Sequence, residues 1–172
     1  MSFVSDDAAD RLLACVPRLR RYARALVGDR TTAEDLVQDT VEHGWAGLQS
    51  WQPGTDMRAW LFSIMHNLRV DQIRRGALLT EPLDDETPLP AQRGHVSAGL
   101  ELRDLDAALR LLPEAQREIL LLVGLEEMRY EDVAGLLGIP VGTVMSRLSR
   151  AREKLRLLME GRASVVPLKV VK

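Results

Sequence analysis

Apolar residues recur along this chain at the spacing of an α-helix, and they do not alternate as they would along a half-buried strand. From Asp10 to about Val27, Leu12, Leu13, Val16, Leu19, Ala23 and Leu26 mark one such run, with Arg18, Arg20, Arg21 and Arg24 between them, and Gly28 ends it. Thr31 and Thr32 offer N-cap hydroxyls, and Glu34 and Asp35 suit the first turn of a second helix reaching to about Leu48. The loop Gln49 to Thr55 turns on its Pro53-Gly54 pair, and a third apolar-rich segment runs from Met57 to Ile73.

Between Gly76 and about Gly99 the pattern stops: Pro82, Pro88, Pro90, Gly94 and the acidic cluster Asp84-Asp85-Glu86 read as a linker. Helical spacing resumes at Leu102, Leu105, Ala108, Leu109 and Leu112, and this helix stops before Pro113. Pro113 suits a first helical position for the next, Glu114 to about Leu125. A short helix, Tyr130 to Leu137, a turn at Gly138-Ile139-Pro140 and a longer helix from Val141 to about Leu158 complete the series. The expectation is an all-α protein with two small helical domains, 10–76 and 101–160, joined by a flexible linker at 77–100. The tail from Gly161 has no helical period and receives no role.

The net charge of −2 is distributed unevenly. Acidic groups gather around Asp29, Glu34, Asp35, Asp39 and Glu42, whereas Met57 to Arg75 carries Arg58, Arg69, Arg74 and Arg75 against Asp71 alone. A basic excess returns between Arg147 and Arg156. Two separated stretches of one acidic protein are therefore suited to a polyanion. Cys15 is the single cysteine, which excludes an internal disulfide and fits a reducing cytoplasm. No segment has the apolar length to cross a bilayer, so membrane insertion is not expected. His43, His66 and His95 stand in unrelated contexts without a nucleophile, metal cluster or phosphate loop; an enzyme, a cofactor and a metal are not expected.

The last two helices match a helix-turn-helix. On a wheel of about 100° per residue, Val144, Leu148, Ala151 and Leu155 fall in one apolar stripe. The opposite side presents Gly142, Ser146, Ser149, Arg150 and Glu153, with Arg147, Arg152, Lys154 and Arg156 on the flanks. Small hydroxyls and an Arg at the centre can reach base edges, and flanking cations can reach phosphates. An ordinary amphipathic helix with solubilising Arg is the bland alternative, and the preceding turn weighs against it.

In the first unit Trp51, Trp60 and Phe62 lie near the Pro-Gly loop and the basic helix ending in Arg74-Arg75, an arrangement suited to unstacked bases. Trp60 and Phe62 are better explained as core, leaving Asn67 and the loop as contact candidates. Asp35, Gln38, Asp39 and Glu42, spaced by three and four, form an acidic and polar stripe. Such a stripe is either a solvated face or a docking surface for a basic partner protein.

Taken together, these features resemble the extracytoplasmic-function sigma factors over Leu12–Arg75 and Leu105–Leu158. Ala33-Glu34-Asp35-Leu36-Val37-Gln38-Asp39-Thr40 is similar to family region 2.2, which grips the clamp helices of the polymerase beta-prime subunit. The resemblance assigns core-polymerase contact to Asp35, Gln38, Asp39 and Glu42. Pro53 to Asn67 is similar to regions 2.3 and 2.4, which open the minus-10 element and capture a flipped base; this implies roles for Ser50, Trp51, Gln52, Gly54, Thr55, Asn67, Arg74 and Arg75. Gly142 to Arg152 is similar to the region 4.2 helix that reads the minus-35 element, implying contacts from Met145, Ser146, Arg147, Ser149, Arg150, Arg152 and Lys154.

Val41 stands where the family often has an aromatic, and Gly44 weakens its helix by about 1 kcal/mol relative to Ala. The resemblance further implies bacterial RNA polymerase core (clamp helices and beta flap), promoter DNA and an anti-sigma factor as partners, and one copy per polymerase. Free chain is expected to bind promoter DNA weakly, because polymerase sets the spacing of the two domains. Two other readings stay open: a dimeric helix-turn-helix regulator, and a sigma mimic that sequesters an anti-sigma factor.

Overall fold

The computed structural model describes residues 6–79 and 98–163, and these fold as seven α-helices and one 3₁₀ turn, with no strand among them. Helices α1 (Asp6–Val27), α2 (Arg30–Ala46) and α3 (Met57–Leu79) form a first unit. Helices α4 (Ala98–Arg110), α5 (Glu114–Gly124), α6 (Tyr130–Leu137) and α7 (Val141–Ala163) form a second. The boundaries expected for the connection move inward, since 77–79 continue α3 and 98–100 open α4; the central part of the expected linker, 80–97, lies outside the described residues. Helix α7 likewise runs past Gly161 to Ala163.

Local chemistry sets most helix ends. The N-cap of α2 is Asp29, not Thr31 or Thr32: its carboxylate accepts from the Thr32 amide and hydroxyl, both at 2.8 Å. That carboxylate meets an otherwise unpaired amide, and the bond holds the Asp29 pKa below its ordinary value. Glu34, on α2, reaches back to α1, accepting from Arg24 at 2.7 Å and Arg20 at 2.9 Å. Pro113 precedes α5 as its N-cap residue, one position earlier than the sequence suggested. Pro17 sits inside α1 at an exposed position, where water can replace the helix hydrogen bond it forfeits.

The first unit packs Leu12, Leu19 and Leu26 of α1 against Leu36 of α2 and Leu61, Phe62 and Met65 of α3, all essentially inaccessible. The Tyr22 and Phe62 rings meet edge to face at 4.8 Å between centroids. Gly44 finds its explanation here. A Cβ at that position would stand 2.7 Å from Leu61 Cδ2 and 3.3 Å from Leu12 Cδ1, so any larger residue there would have to displace the Leu61 side chain in the core. Gly44→Val is expected to cost about 2 kcal/mol by overpacking, read as a lower urea midpoint at unchanged slope; an unchanged midpoint would show that the site relaxes freely.

The second unit does not stand apart. Its buried residues Leu109, Leu112, Ile119, Leu122 and Val133 belong to the same continuous apolar cluster as the core of the first. Polar contacts bind the same seam. Arg117 of α5 donates to the Leu26 carbonyl at the end of α1 at 2.5 Å. Arg69 of α3 grips the Glu114 carboxylate with two bonds, at 2.7 and 2.9 Å. His66 Nδ1 donates to Glu118 at 2.7 Å. Glu126, whose side chain is fully buried, accepts from Arg21 at 2.8 Å and lies 3.8 Å from Arg18, while its backbone carbonyl accepts from Arg58 at 2.8 Å.

His66 makes part of this seam sensitive to pH. The hydrogen bond to Glu118 raises the His66 pKa above its ordinary 6.5, outweighing the opposing effect of burial. A raised folded-state pKa contributes stability that is fully present below pH 6.5 and is lost as pH rises through the folded value. Thermal unfolding is therefore expected at a lower temperature at pH 8 than at pH 6, and His66→Gln should flatten that component. A pH dependence unaltered in His66→Gln would place its origin elsewhere.

Candidate nucleic-acid interface

Helix α6 ends at Leu137, and Gly138 takes the left-handed conformation, with φ 65°, that lets its amide cap the Ala134 carbonyl while the chain reverses. After Ile139 and Pro140, α7 begins, its first free amides returning to the Pro140 carbonyl. Two helices joined by so short a turn leave α7 one inward face. Val144, Leu148 and Ala151 occupy it, each at most 2% exposed, and Leu155 is half-buried behind them.

The outward face carries Met145, Ser146, Ser149, Arg150, Arg152 and Lys154, all exposed, with Arg147 half-exposed at the flank. Met145 is 53% exposed, so it faces outward even though the wheel set it near the edge. The Ser146 hydroxyl donates to the Thr143 carbonyl at 3.1 Å and the residue stays exposed. Arg156 differs from its neighbours. Glu153 and Glu160 pair with it at 2.8 and 2.6 Å and raise its pKa, so its positive charge is partly balanced within the helix while the side chain stays exposed. Met145, Ser149 and Arg152 also line a shallow groove with Tyr130 of α6, which gives the outward face relief as well as charge.

The expected single-strand contacts divide. Ser50, Gln52, Gly54 and Thr55 are exposed on a loop braced by bonds from the Thr55 amide and hydroxyl to the Gln52 carbonyl, at 3.1 and 2.7 Å. Asn67, Arg74 and Arg75 are exposed on α3, where Asn67 and Arg74 stand two turns apart on one stripe. Trp51 is only 7% exposed: its ring belongs to the core beneath the loop and does not face outward in this structure. Trp60 is half-buried and Phe62 fully buried, as their core reading requires. Of the basic stretch on α3, Arg58 and Arg69 are spent on the second unit, which leaves Arg74 and Arg75 as its freely exposed cations.

Asp35, Gln38 and Glu42 are exposed and Asp39 half-exposed on one face of α2, with Gln38 donating to Glu42 at 2.9 Å. Trp45, one turn further along that face, is 52% exposed. Sequence reading passed over it, although its place three residues after Glu42 is a signal. An indole left in water beside carboxylates is unusual for a solvated helix and ordinary for a docking surface.

The remaining candidates are quiet. Cys15 is half-buried and its thiol pKa is pushed up, chiefly by burial and then by Asp56, which disfavours a reactive thiolate. Among the described residues no group of three His, Cys, Asp or Glu could hold a metal, and no helix is long and apolar enough to cross a membrane.

Comparison with known proteins gives this geometry relatives. Residues 12–66 match the family described as the Sigma2 domain of PhyR, and residues 102–155 match Sigma-70, region 4. The ECF RNA polymerase sigma factor EcfG of Rhodopseudomonas palustris (strain TIE-1) is 42% identical over 158 residues, spanning 91% of this chain and 87% of that protein. Among solved structures, the sigma factor RpoE in complex with the anti-sigma factor NepR from Bartonella quintana superposes with a TM-score of 0.73 at 35% identity, covering 91% of this chain and 98% of that one. CnrH in complex with the cytosolic domain of CnrY gives 0.66 at 28% identity, covering 90% and 88%.

Proposed function

This chain belongs to the extracytoplasmic-function RNA polymerase sigma factors, and from that premise we propose how its surfaces share the work of promoter selection. Residues 10–76 engage core polymerase and the melted minus-10 strand, 101–160 read the minus-35 duplex, and 77–100 connect them. Members of this family are transcription initiation factors; bond chemistry is left to the polymerase.

The exposed stripe Asp35, Gln38, Asp39, Glu42 meets the basic clamp helices of the beta-prime subunit, and Trp45 adds an apolar anchor at its end. Asn67 and the loop groups Ser50, Gln52, Gly54 and Thr55 take the unstacked bases, and Arg74 and Arg75 follow the backbone. Met145, Ser146, Ser149 and Arg150 read base edges in the major groove, flanked on phosphates by Arg147, Arg152 and Lys154. The beta flap and an anti-sigma factor complete the partners, and the site of action is the cytoplasm, where polymerase and chromosome are.

One observation carries this reading: the face of α7 opposite its core stripe is built of hydroxyls and guanidinium groups and is open to a duplex. A protein that only imitated a sigma factor to capture an anti-sigma factor would have no use for that face. Run-off transcription from a genomic promoter library, with core polymerase and with or without this protein, tests it. Transcripts that appear only with the protein, from promoters sharing spaced minus-35 and minus-10 elements, are expected. A correctly folded chain that never associates with core enzyme would end the proposal.

A further inference from the structure

Five arginines converge on one groove that lies outside every surface assigned above to DNA or polymerase. Arg20, Arg21 and Arg24 of α1, Arg30 at the start of α2 and Arg110 at the end of α4 line it, and Asp29 and Asp106 are the carboxylates in its wall. All five arginines are exposed. The groove holds about 620 Å³, a volume in the range of small-molecule sites.

The approach of Arg110 is the informative feature. It comes from the second unit, yet its guanidinium lies over Gly28 at the end of α1, where a Cβ would stand 3.3 Å from its Nε and 3.4 Å from its Cζ. Folding thus brings a fifth cation up to four from the first unit, which costs free energy unless an anion shares the space. Arg117, whose guanidinium bonds the Arg110 carbonyl, registers the excess: burial lowers its pKa, Glu114 opposes this, and Arg110 adds to the lowering.

The carboxylates already present leave room for such an anion. Glu34 alone serves both Arg20 and Arg24, Asp106 meets Arg110 within α4, Glu126 takes Arg21, and Asp29 is committed to capping α2. The Glu34 and Asp106 pairs are half-exposed, and ion pairs in contact with water are worth little, so Arg20, Arg24 and Arg110 can turn to a better ligand at small cost. Linked phosphates are that ligand. A guanidinium takes a phosphate with two parallel bonds, and Arg20 and Arg24, one turn apart, have Cβ atoms about 5–6 Å apart, a spacing that neighbouring phosphates of one chain can satisfy together.

We propose that the groove between α1, the start of α2 and the end of α4 binds the phosphate chain of a small di- or triphosphate, such as a nucleotide carries, with Arg30 and Arg110 completing the cation set of Arg20, Arg21 and Arg24. Because the groove draws on both units, its occupant ties α4 to α1 and stabilises the fold in proportion to its binding. The proposal does not depend on the promoter reading.

Inorganic triphosphate titrated into the full chain, in buffer free of metal and phosphate, tests it. Calorimetry is expected to show a single site, and saturating triphosphate should raise the melting temperature. Arg30→Gln with Arg110→Gln should weaken binding roughly tenfold or more, since two charge-assisted contacts are removed. Arg11→Gln with Arg129→Gln makes the same change of charge at exposed positions outside the groove and should leave the affinity unaltered. If the first double variant does not fold by circular dichroism, Arg30→Gln alone takes its place, as that residue is exposed.

No binding of triphosphate, equal binding of sulfate at the same concentration, or equal weakening in the charge control overturns the proposal, since each would reduce the groove to diffuse positive charge. A groove variant that loses affinity for a single-stranded oligonucleotide, in a chain that does not bind triphosphate, would overturn it in favour of a DNA surface.

Discussion

Arg150→Ala is expected to remove minus-35-dependent transcription while leaving the fold and core-polymerase association intact. Arg150 is exposed at the centre of the outward face of α7. Its guanidinium can make two bonds to one base edge, and such a contact discriminates by about 1–3 kcal/mol, roughly 5- to 150-fold in promoter preference. The loss should appear as run-off product falling toward the level given by a template with a scrambled minus-35 element. Lys154→Ala, on the flank, should instead weaken binding evenly across sequences and reduce the salt slope by about one phosphate. If Arg150→Ala transcribes the cognate template at the unaltered rate, α7 does not read the promoter through this residue.

The largest loss of stability is expected at a residue with no contact to DNA. Arg117 is buried, and its guanidinium donates to four backbone carbonyls: Leu109 at 2.8 Å, Arg110 at 2.9 Å, Leu112 at 2.9 Å and Leu26 at 2.5 Å. Three of these carbonyls lie at the end of α4 and in the turn after it, and the fourth lies at the end of α1, so two helix C-termini converge on one cation. Burial lowers the Arg117 pKa from its ordinary value, and a guanidinium stays charged near neutral pH.

Arg117→Met keeps much of the volume and removes every donor. Several carbonyls would then be buried without partners, at about 1–3 kcal/mol each before relaxation, so a net loss of about 3 kcal/mol is expected. In a chain of this size that corresponds to a melting temperature lower by about 6–12 °C. Arg117→Lys should recover part of it, since an ammonium offers a point charge but not a fork. A melting temperature unmoved by Arg117→Met would mean that solvent reaches these carbonyls.

What could be read from the sequence was whatever depends on near neighbours along the chain. Helical periodicity placed all seven described helices, because an apolar stripe every three or four residues can be buried only by one winding of the backbone. The same periodicity, with Gly138 and Pro140, fixed the reversal before α7 and thus which side of that helix points outward. The acidic stripe on α2 was equally local: residues three and four apart share a face whatever that helix packs against.

Only the tertiary structure decided which charges are available. Arg58, Arg69, Arg74 and Arg75 look alike in the sequence, yet the first two are bound to the second unit and the last two face solvent. Arg117 and Glu126 look like surface residues until residues 91 and 105 positions away along the chain arrive beside them. Trp51 went into the core instead of onto the surface, and Gly44 proved to be a point of close approach instead of a weak spot in a helix. The physical reason is common to all of these. An apolar pattern states that a face must be buried, but the partner of a charge or the clearance of a backbone depends on groups that folding brings from elsewhere in the chain.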